Sequence, residues 1–488
     1  MPAKPPQQLH SRPSSVPEVA GQLALALPVA SPIALPALAI EPDWQAQQRL
    51  WGHRLHPMCS YLASFPAALV HSFIARYSRP GDVVLDPFSG RGTTALQACA
   101  EGRIGVANDL NPFAHLLSAA KVEPASAAEA RSRVMALRLR WAGESAPWRA
   151  LAERVIAAPG PDGARIPIAG SEAPADAQAD GLADAATASE PVPVEVALCF
   201  HPRTLAELLF LRTMLRLDNR VDRFLAAAIT GILHGKSASY LSEIMPNTFS
   251  MAPNYVRDYV SRTGFRSPDR DVFGGLELKL ARLHRDTLPP VRGIALLGDA
   301  RDAGSRAQRA LRERGLPDKA RLVVTSPPYL RVIKYGYYNW LRTWFLGFDA
   351  AAIDAALDDA HHKAAYLQFM AEVLEGLRPA LADDAVVVLV IGDVELDRGR
   401  RISNGVGLAE AVWEAAAAPA GYRLAGVALD AVKANRKMTK LWGDEAGRAT
   451  KLDRLLVLAT SETGRRRAVN GATLPVDWSW PPHRLGHR

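Results

Sequence analysis

Cysteine is scarce in this sequence: Cys59, Cys99 and Cys199 are the only three in 488 residues, and no two form a C-x-x-C pair. They are too few and too scattered for a disulfide framework, so a reducing, cytoplasmic setting is expected. Metal-ligand spacing is also missing. His10, His53, His56 and the pair His361 and His362 stand isolated, and no metal is expected. No long apolar run survives uninterrupted: residues 23–40 are apolar in character, but Pro28, Pro32 and Pro36 break them and no charged leader precedes them. They read as part of a disordered Pro/Ala-rich tail rather than as a signal peptide or membrane span. The phosphate-loop pattern G-x-x-x-x-G-K-[ST] is absent from the turn that most resembles one, which removes nucleoside triphosphates as its natural ligand.

What the chain does have is length, positive charge and alternating order. At 488 residues it can bury one large core or two smaller ones. Its formal charge of +8 favours an anionic partner without specifying a fold. Apolar stretches and helix-compatible stretches alternate, the pattern of an α/β doubly wound, Rossmann-like sheet.

Residues 1–45 are expected to be the disordered tail. Residues 46–122 form the cofactor-binding half, 123–198 a helix (127–142) and a linker (160–193), and 199–290 a mostly helical insertion that helps recognise substrate. Residues 291–462 form the catalytic half, and 463–488 a basic tail. Helices are expected at 67–77, 93–100, 112–121, 363–377 and 408–417. Strands are expected at 83–86, 105–109, 294–299, 321–325, 386–391, 422–429 and 455–459.

Two stretches carry the chemistry. Residues 83–94, V-V-L-D-P-F-S-G-R-G-T-T, run from a strand ending on Asp86 through a turn with Gly90 and Gly92 into a helix start. Glycines let backbone N–H groups approach a ligand at the carboxyl ends of strands. Asp109 ends the next strand about 20 residues on, where such sites place a carboxylate on ribose hydroxyls. Asp299 ends a third strand. Each acid alone is more often a cap or turn residue. In this order, and without a phosphate loop, they favour an adenosine cofactor lacking phosphates, S-adenosylmethionine.

The second stretch is Ser326-Pro327-Pro328-Tyr329. The exocyclic amine of cytosine or adenine is a poor nucleophile because its lone pair is delocalised into the ring. Ser326 and the Pro327 carbonyl can accept hydrogen bonds from that NH2, and the two prolines stiffen the loop and remove competing donors. Tyr329 offers a stacking face for a base flipped out of a duplex, worth ~1–3 kcal/mol. By itself the stretch also reads as a proline-bearing turn after a buried strand.

D-P-F-S-G-R-G-T-T together with T-S-P-P-Y resembles the amino-group DNA methyltransferases, the N4-cytosine and N6-adenine enzymes. The segment 61–66 and its following helix resemble the region that precedes the cofactor turn in these enzymes. The resemblance covers 57–121 and 293–459. It implies cofactor contacts by Phe65, Asp86, Phe88, Gly90, Gly92 and Thr93, with Asp109 on the ribose and Asp299 near the adenine or upstream of the catalytic loop. Catalysis is then implied at Ser326, Pro327, Pro328 and Tyr329. Duplex DNA with a flipped base is the implied substrate, and a cognate restriction endonuclease the candidate protein partner. Ser at the first position of the catalytic motif is typical of the N4-cytosine enzymes, with N6-adenine second. Structured RNA and a non-catalytic DNA-binding role are the remaining alternatives. C5-cytosine chemistry needs a cysteine nucleophile on a loop, and Cys59 follows Met58 rather than proline.

Three basic or aromatic groups carry two readings each. Lys334 to Trp340 is a stacking wall or a core-packing helix that buries Trp340, Trp344 and Phe345. Arg257, Arg262, Arg266 and Arg270 around Tyr255 and Tyr259 track phosphates or form a solvated face. Lys433, Arg436, Lys437 and Lys440 have the same ambiguity.

Overall fold

The computed structural model describes residues 35–48, 50–167, 189–328, 334–357, 363–395, 407–431 and 448–480. Helix α1 (Ala67–Tyr77) starts directly after Pro66, and Gly81 turns the chain into β1 (Val83–Asp86). Helix α2 (Thr93–Ala100), β2 (Ile104–Asp109) and α3 (Pro112–Val122) follow. Asn111 caps α3 by accepting from the Phe113 N–H, with proline at its first position. The long helix α4 (Ala127–Ala157) opens with a capping box, in which Ser126 and Glu129 each accept the other's backbone N–H.

A short antiparallel pair, β3 (Arg165–Pro167) and β4 (Ser189–Pro191), leads to five helices. These are α5 (Val194–Cys199), α6 (Pro202–Met214), α7 (Arg220–Thr230), α8 (Pro253–Thr263) and α9 (Val272–Leu283). The sheet resumes with β5 (Ile294–Leu297), α10 (Ala303–Glu313) and β6 (Ala320–Thr325). Helices α11 (Trp340–Leu346), α12 (Ala350–Ala356) and α13 (Lys363–Leu377) precede β7 (Leu381–Glu395). The last elements are α14 (Leu408–Val412), β8 (Arg423–Ala431), β9 (Arg448–Ala459) and α15 (Glu462–Ala472).

Seven strands form one sheet in the order β5-β2-β1-β6-β7-β9-β8. β5, β2, β1, β6 and β7 run parallel, and β9 runs antiparallel between β7 and β8. Alternate residues supply two cores, as strand pleating requires. Val84, Leu322, Val324, Val386 and Val388 face α1 and α15, while Val83, Leu85, Val323, Val387 and Leu389 face α10, α13 and α14. The chain winds outward from β1 to β2 and β5, then returns to β6 on the other side of β1. The carboxyl ends of β1 and β6 are therefore the topological switch point where a doubly wound sheet opens a ligand crevice. This is the Rossmann-like, doubly wound sheet expected from the sequence.

Several boundaries differ from expectation. Residues 35–45 are not tail: Leu38, Ile40 and Trp44 are buried, and at the β8 edge the Leu38 N–H donates to the Val427 carbonyl while the Val427 N–H donates to the Pro36 carbonyl. An edge strand leaves N–H and C=O groups unpaired, and this segment covers them. Residues 463–480 are not tail either. Helix α15 lies on the sheet with Tyr77 Oη donating to the Ala468 carbonyl at 2.9 Å, and Trp478 packs its ring 5.1 Å from His71 and 5.5 Å from Trp51.

Helix α4 continues past residue 142 because Trp148, Leu151 and Val155 extend the buried stripe of Val134, Leu137 and Trp141. The expected linker 160–193 contains the β3–β4 pair, and 168–188 lies outside the described residues. The expected helix 408–417 changes after Val412 into one π-helical turn, Trp413–Ala417.

Candidate active site

The site is built where β1 and β6 end. Asp86 closes β1 and is buried. Its Oδ1 accepts the Thr325 hydroxyl at 2.6 Å and the Phe88 N–H at 3.1 Å. Burial pushes its carboxyl up to about 7, against the pull of Thr325, Thr94 and the Phe88 N–H. Thr325 is the last residue of β6, so this bond joins the Gly-rich turn to the residue before Ser326. Thr94, on the first turn of α2, donates from its hydroxyl to the Val324 carbonyl at 2.9 Å. Three elements thus meet at one carboxylate.

The two glycines of the turn do different work. Gly92 has φ +76°, and a Cβ there would sit 2.9 Å from the Ser118 Cα. It permits close packing of α2 on α3. Gly90 has φ +49°, and a Cβ would meet only the Tyr61 ring, at 3.7 Å. The space beside Gly90 is an open cradle with an aromatic wall.

Asp109 faces that cradle from the end of β2. One of its oxygens accepts the Gly90 N–H at 2.7 Å and the other the Asn111 N–H at 2.9 Å. Burial raises its carboxyl to about 6. The Gly90 carbonyl accepts from the Ser118 hydroxyl at 3.2 Å, and the Arg91 carbonyl from Lys121 Nζ at 2.6 Å. Lys121 is fully buried, and burial holds its ammonium well below the usual lysine range. Thr93 is buried and its hydroxyl accepts from Arg91 Nε at 3.3 Å.

The aromatic wall is double. Tyr61 stacks on Tyr335 with centroids 5.6 Å apart and planes 15° from parallel, and its hydroxyl accepts from Asn111 Nδ2 at 3.1 Å. Burial raises both phenols, helped by the negative charge of Asp109. Of the two readings of 334–340, the core-packing one is observed. Tyr335 joins the wall, whereas Trp340, Trp344 and Phe345 enter the core of the helical insertion.

Other expected residues are placed more loosely around this centre. Phe65 packs against the α1 side of the sheet and Phe88 against the α13 side, 5.8 Å from Phe369. Asp299 caps the turn after β5 by accepting the Arg301 N–H at 2.8 Å and pairs with its guanidinium at 2.8 Å, while Arg301 also bonds Glu372 at 2.7 Å. Asp299 belongs to the same strand-end row, since Gly298 donates to the Asp109 carbonyl and Asn108 Nδ2 bonds the Gly298 carbonyl at 2.9 Å. Ser326 is half-buried, Pro327 buried and Pro328 exposed; Tyr329 lies outside the described residues.

Thr94, Ser118, Lys121, Thr325 and Tyr61 were not singled out from sequence, although T-S-P-P-Y and the Tyr61 segment were in hand. Their partners lie 28 to 239 residues away.

Among the arginines near Tyr255 and Tyr259, Arg257 pairs with Glu195 and Arg270 with Glu243. Arg262 and Arg266 are exposed and have no ion pair among the described residues. Lys433, Arg436, Lys437 and Lys440 lie outside the described residues. Among the described residues no three His, Cys, Asp or Glu side chains gather as a metal-ion site, and no helix is long and apolar enough to cross a membrane.

Comparison with known proteins matches this region. Residues 40–119 fit the family model for N6/N4 methyltransferases, described as DNA methylase. The Type II methyltransferase M.MjaII of Methanocaldococcus jannaschii is 35% identical over 71 residues, which is 14% of this chain and 13% of that protein. M.Cfr9I of Citrobacter freundii is 36% identical over 83 residues, 14% of this chain and 28% of that one. M.XycI of Xanthomonas campestris pv. cyanopsidis is 32% identical over 94 residues, 17% of this chain and 31% of that one. The chain thus spans less than a third of the length of these relatives. The solved rRNA methyltransferase aviRa from Streptomyces viridochromogenes aligns over 84% of this chain and 89% of that chain at 11% identity, with a TM-score of 0.28. The fold assignment rests on strand order and not on that likeness. Residues 40–119, the segment that builds the Gly-rich turn and its acids, are thus similar to the N6/N4 DNA methylases.

Proposed function

We propose that this protein methylates the exocyclic amine of a base in DNA, cytosine N4 in the first place and adenine N6 in the second, using S-adenosylmethionine. The observation that carries the reading is the meeting of the Gly-rich turn and the Ser326-Pro327 loop at one switch point, joined through Asp86 and Thr325. S-adenosylmethionine supplies an activated methyl group on a sulfonium centre when bound.

The residues present suit it. Gly90 leaves a cradle that a side chain would fill, Tyr61 and Tyr335 wall it, and Asp86 and Asp109 offer carboxylates to a cationic, hydroxyl-bearing molecule. Gly92 and Thr93 hold the turn, with Phe65 and Phe88 flanking it from either face of the sheet and Asp299 in the outer strand-end row.

Ser326 Oγ and the Pro327 carbonyl then accept hydrogen bonds from the target NH2, orienting its lone pair for in-line displacement. Tyr329 stacks on the flipped base, and no covalent enzyme intermediate is needed. Catalysis by such a site is mostly positioning and polar preorganisation. The helical insertion contributes DNA contacts. A cytoplasmic location and a companion endonuclease of the same specificity belong to this reading.

The test is methyl transfer from labelled S-adenosylmethionine to duplex DNA and to structured RNA in competition, followed by digestion to nucleosides. N4-methylcytosine is expected. N6-methyladenine selects the second base, methylated RNA the RNA alternative, and cofactor binding without transfer to any nucleic acid the non-catalytic one. Ser326→Ala and Tyr329→Ala should each lower turnover about a hundredfold while leaving cofactor affinity intact; normal turnover in both sinks the assignment.

A further inference from the structure

Thr325 sits where the neighbouring residues of β6 are apolar. Leu322, Val323 and Val324 are all fully buried, and so is Thr325. Burying a hydroxyl is unfavourable unless it finds a partner, and valine would fill the same volume at a strand end with no such demand. The partner it finds is a buried carboxylate, Asp86 Oδ1, at 2.6 Å. Charge-assisted O–H to carboxylate bonds of this length are the stronger kind.

The two ends of the bond matter more than its strength. On one side Asp86 begins the turn that carries Phe88, Gly90 and Gly92. On the other, Thr325 is covalently joined to Ser326. A second link runs alongside: Thr94, at the start of the helix that follows the turn, bonds the carbonyl of Val324. The catalytic loop and the cofactor turn come from opposite sides of the switch point, 239 residues apart in sequence, and these bonds fix their separation. An in-line methyl transfer depends on that separation, because a misplacement of about 1 Å costs about a hundredfold in rate.

We propose that Thr325 is a positioning residue: its hydroxyl, held by Asp86, sets Ser326 against the cofactor turn, so that occupancy of the turn is felt by the catalytic loop. The inference rests on the methyltransferase reading above. It concerns a residue that does not itself touch the cofactor or the base.

Three variants test it: Thr325→Val, isosteric without the hydroxyl; Thr325→Ala; and Thr325→Ser, which restores the hydroxyl. The measurements are kcat and KM for DNA, the affinity for S-adenosylhomocysteine by calorimetry, and hydrogen exchange of residues 322–328 with and without S-adenosylhomocysteine. In the unmodified protein the ligand is expected to slow exchange in that segment.

Thr325→Val should lower kcat about ten- to a hundredfold with little change in KM or ligand affinity, and should lose the ligand-induced protection. Thr325→Ser should recover both. The proposal is overturned if Thr325→Val keeps its kcat and its protection, if Thr325→Ser is as impaired as Thr325→Val, or if the whole loss lies in ligand affinity. If neither Thr325→Val nor Thr325→Ala folds, the hydroxyl supports the fold rather than Ser326, and the proposal also falls. An unmodified protein that neither binds the ligand nor methylates any nucleic acid defeats the functional reading first. One that does both, with Thr325→Val unimpaired, defeats only the role given to Thr325.

Discussion

The Gly-rich turn and the segment that follows the Ser326-Pro327 loop both withdraw charged side chains from water, and they satisfy them in opposite ways. In the turn, Asp86 and Asp109 accept from backbone N–H groups two residues downstream, and only their second partners are distant. In the later segment, Arg342 is fully buried on α11 and reaches 95 residues back to the Asn247 carbonyl at 2.6 Å, with Asn339 Oδ1 at 2.8 Å. Arg212, likewise buried, spans from the Pro167 carbonyl to the Trp344 carbonyl and lies 5.4 Å over the Trp344 ring. The turn is locally specified and tolerates little change in backbone shape. The helical insertion is tied to α11 by long side chains that reach through the core to distant carbonyls.

The sharpest break of this comparison is at Gly92. Gly92→Ala places a methyl 2.9 Å from the Ser118 backbone at positive φ, and strain and overpacking together should cost about 4 kcal/mol in chemical denaturation. Gly90→Ala, in open space, should cost about 1 kcal/mol and show its loss chiefly in cofactor affinity. Equal effects at the two positions would mean that the turn is not divided in this way.

Asp86 comes next. Its folded value of about 7 lies above the usual 3.8, so the protonated form is favoured on folding. The stability it contributes is full below about pH 4 and is lost as pH rises through about 7. Asp86→Asn removes this titration, and the variant should be more stable than the unmodified protein at pH 8 by about 4 kcal/mol, with no such advantage at pH 4. It should also bind the cationic cofactor more weakly at pH 8. Matching stability profiles at both pH values refute the assignment.

In the other region, Arg342→Met leaves the Asn247 carbonyl without its donor and should cost about 2 kcal/mol. Faster hydrogen exchange in residues 239–250 should accompany it, with the cofactor turn unaffected. The smallest effect is expected at the surface. Arg262→Ala with Arg266→Ala should weaken DNA binding and reduce the log–log salt slope by about 2, while Arg257→Ala, which breaks the pair with Glu195, should leave the slope unchanged.

What was legible in the sequence followed from local rules. The bounds of α1, α2 and α13 could be read because each is a short apolar-periodic segment with a proline, a glycine turn or a change of composition at its ends. That Asp86, Gly90, Gly92 and Asp109 meet at one turn could be read because a strand–turn–helix unit brings residues within about 25 positions together. The buried segment 35–45 could not be read, because its prolines mimic a disordered tail and its partner is the β8 edge nearly 400 residues away. The second half of α4 was masked by charged residues flanking a narrow buried stripe.

The sequence by itself determined the doubly wound sheet, the Gly-rich turn after β1 and the polar loop at Ser326-Pro327. Each is encoded in contiguous residues whose backbone preferences and periodicity act over one or two elements. Only the tertiary structure decided that Tyr335 stacks on Tyr61, that Lys121 clasps the turn, that Arg257 and Arg270 are already paired, and that Thr325 binds Asp86. Those contacts join elements brought together by sheet order and helix packing, and a hydroxyl or an amine in a sequence carries no mark of which distant oxygen it will meet.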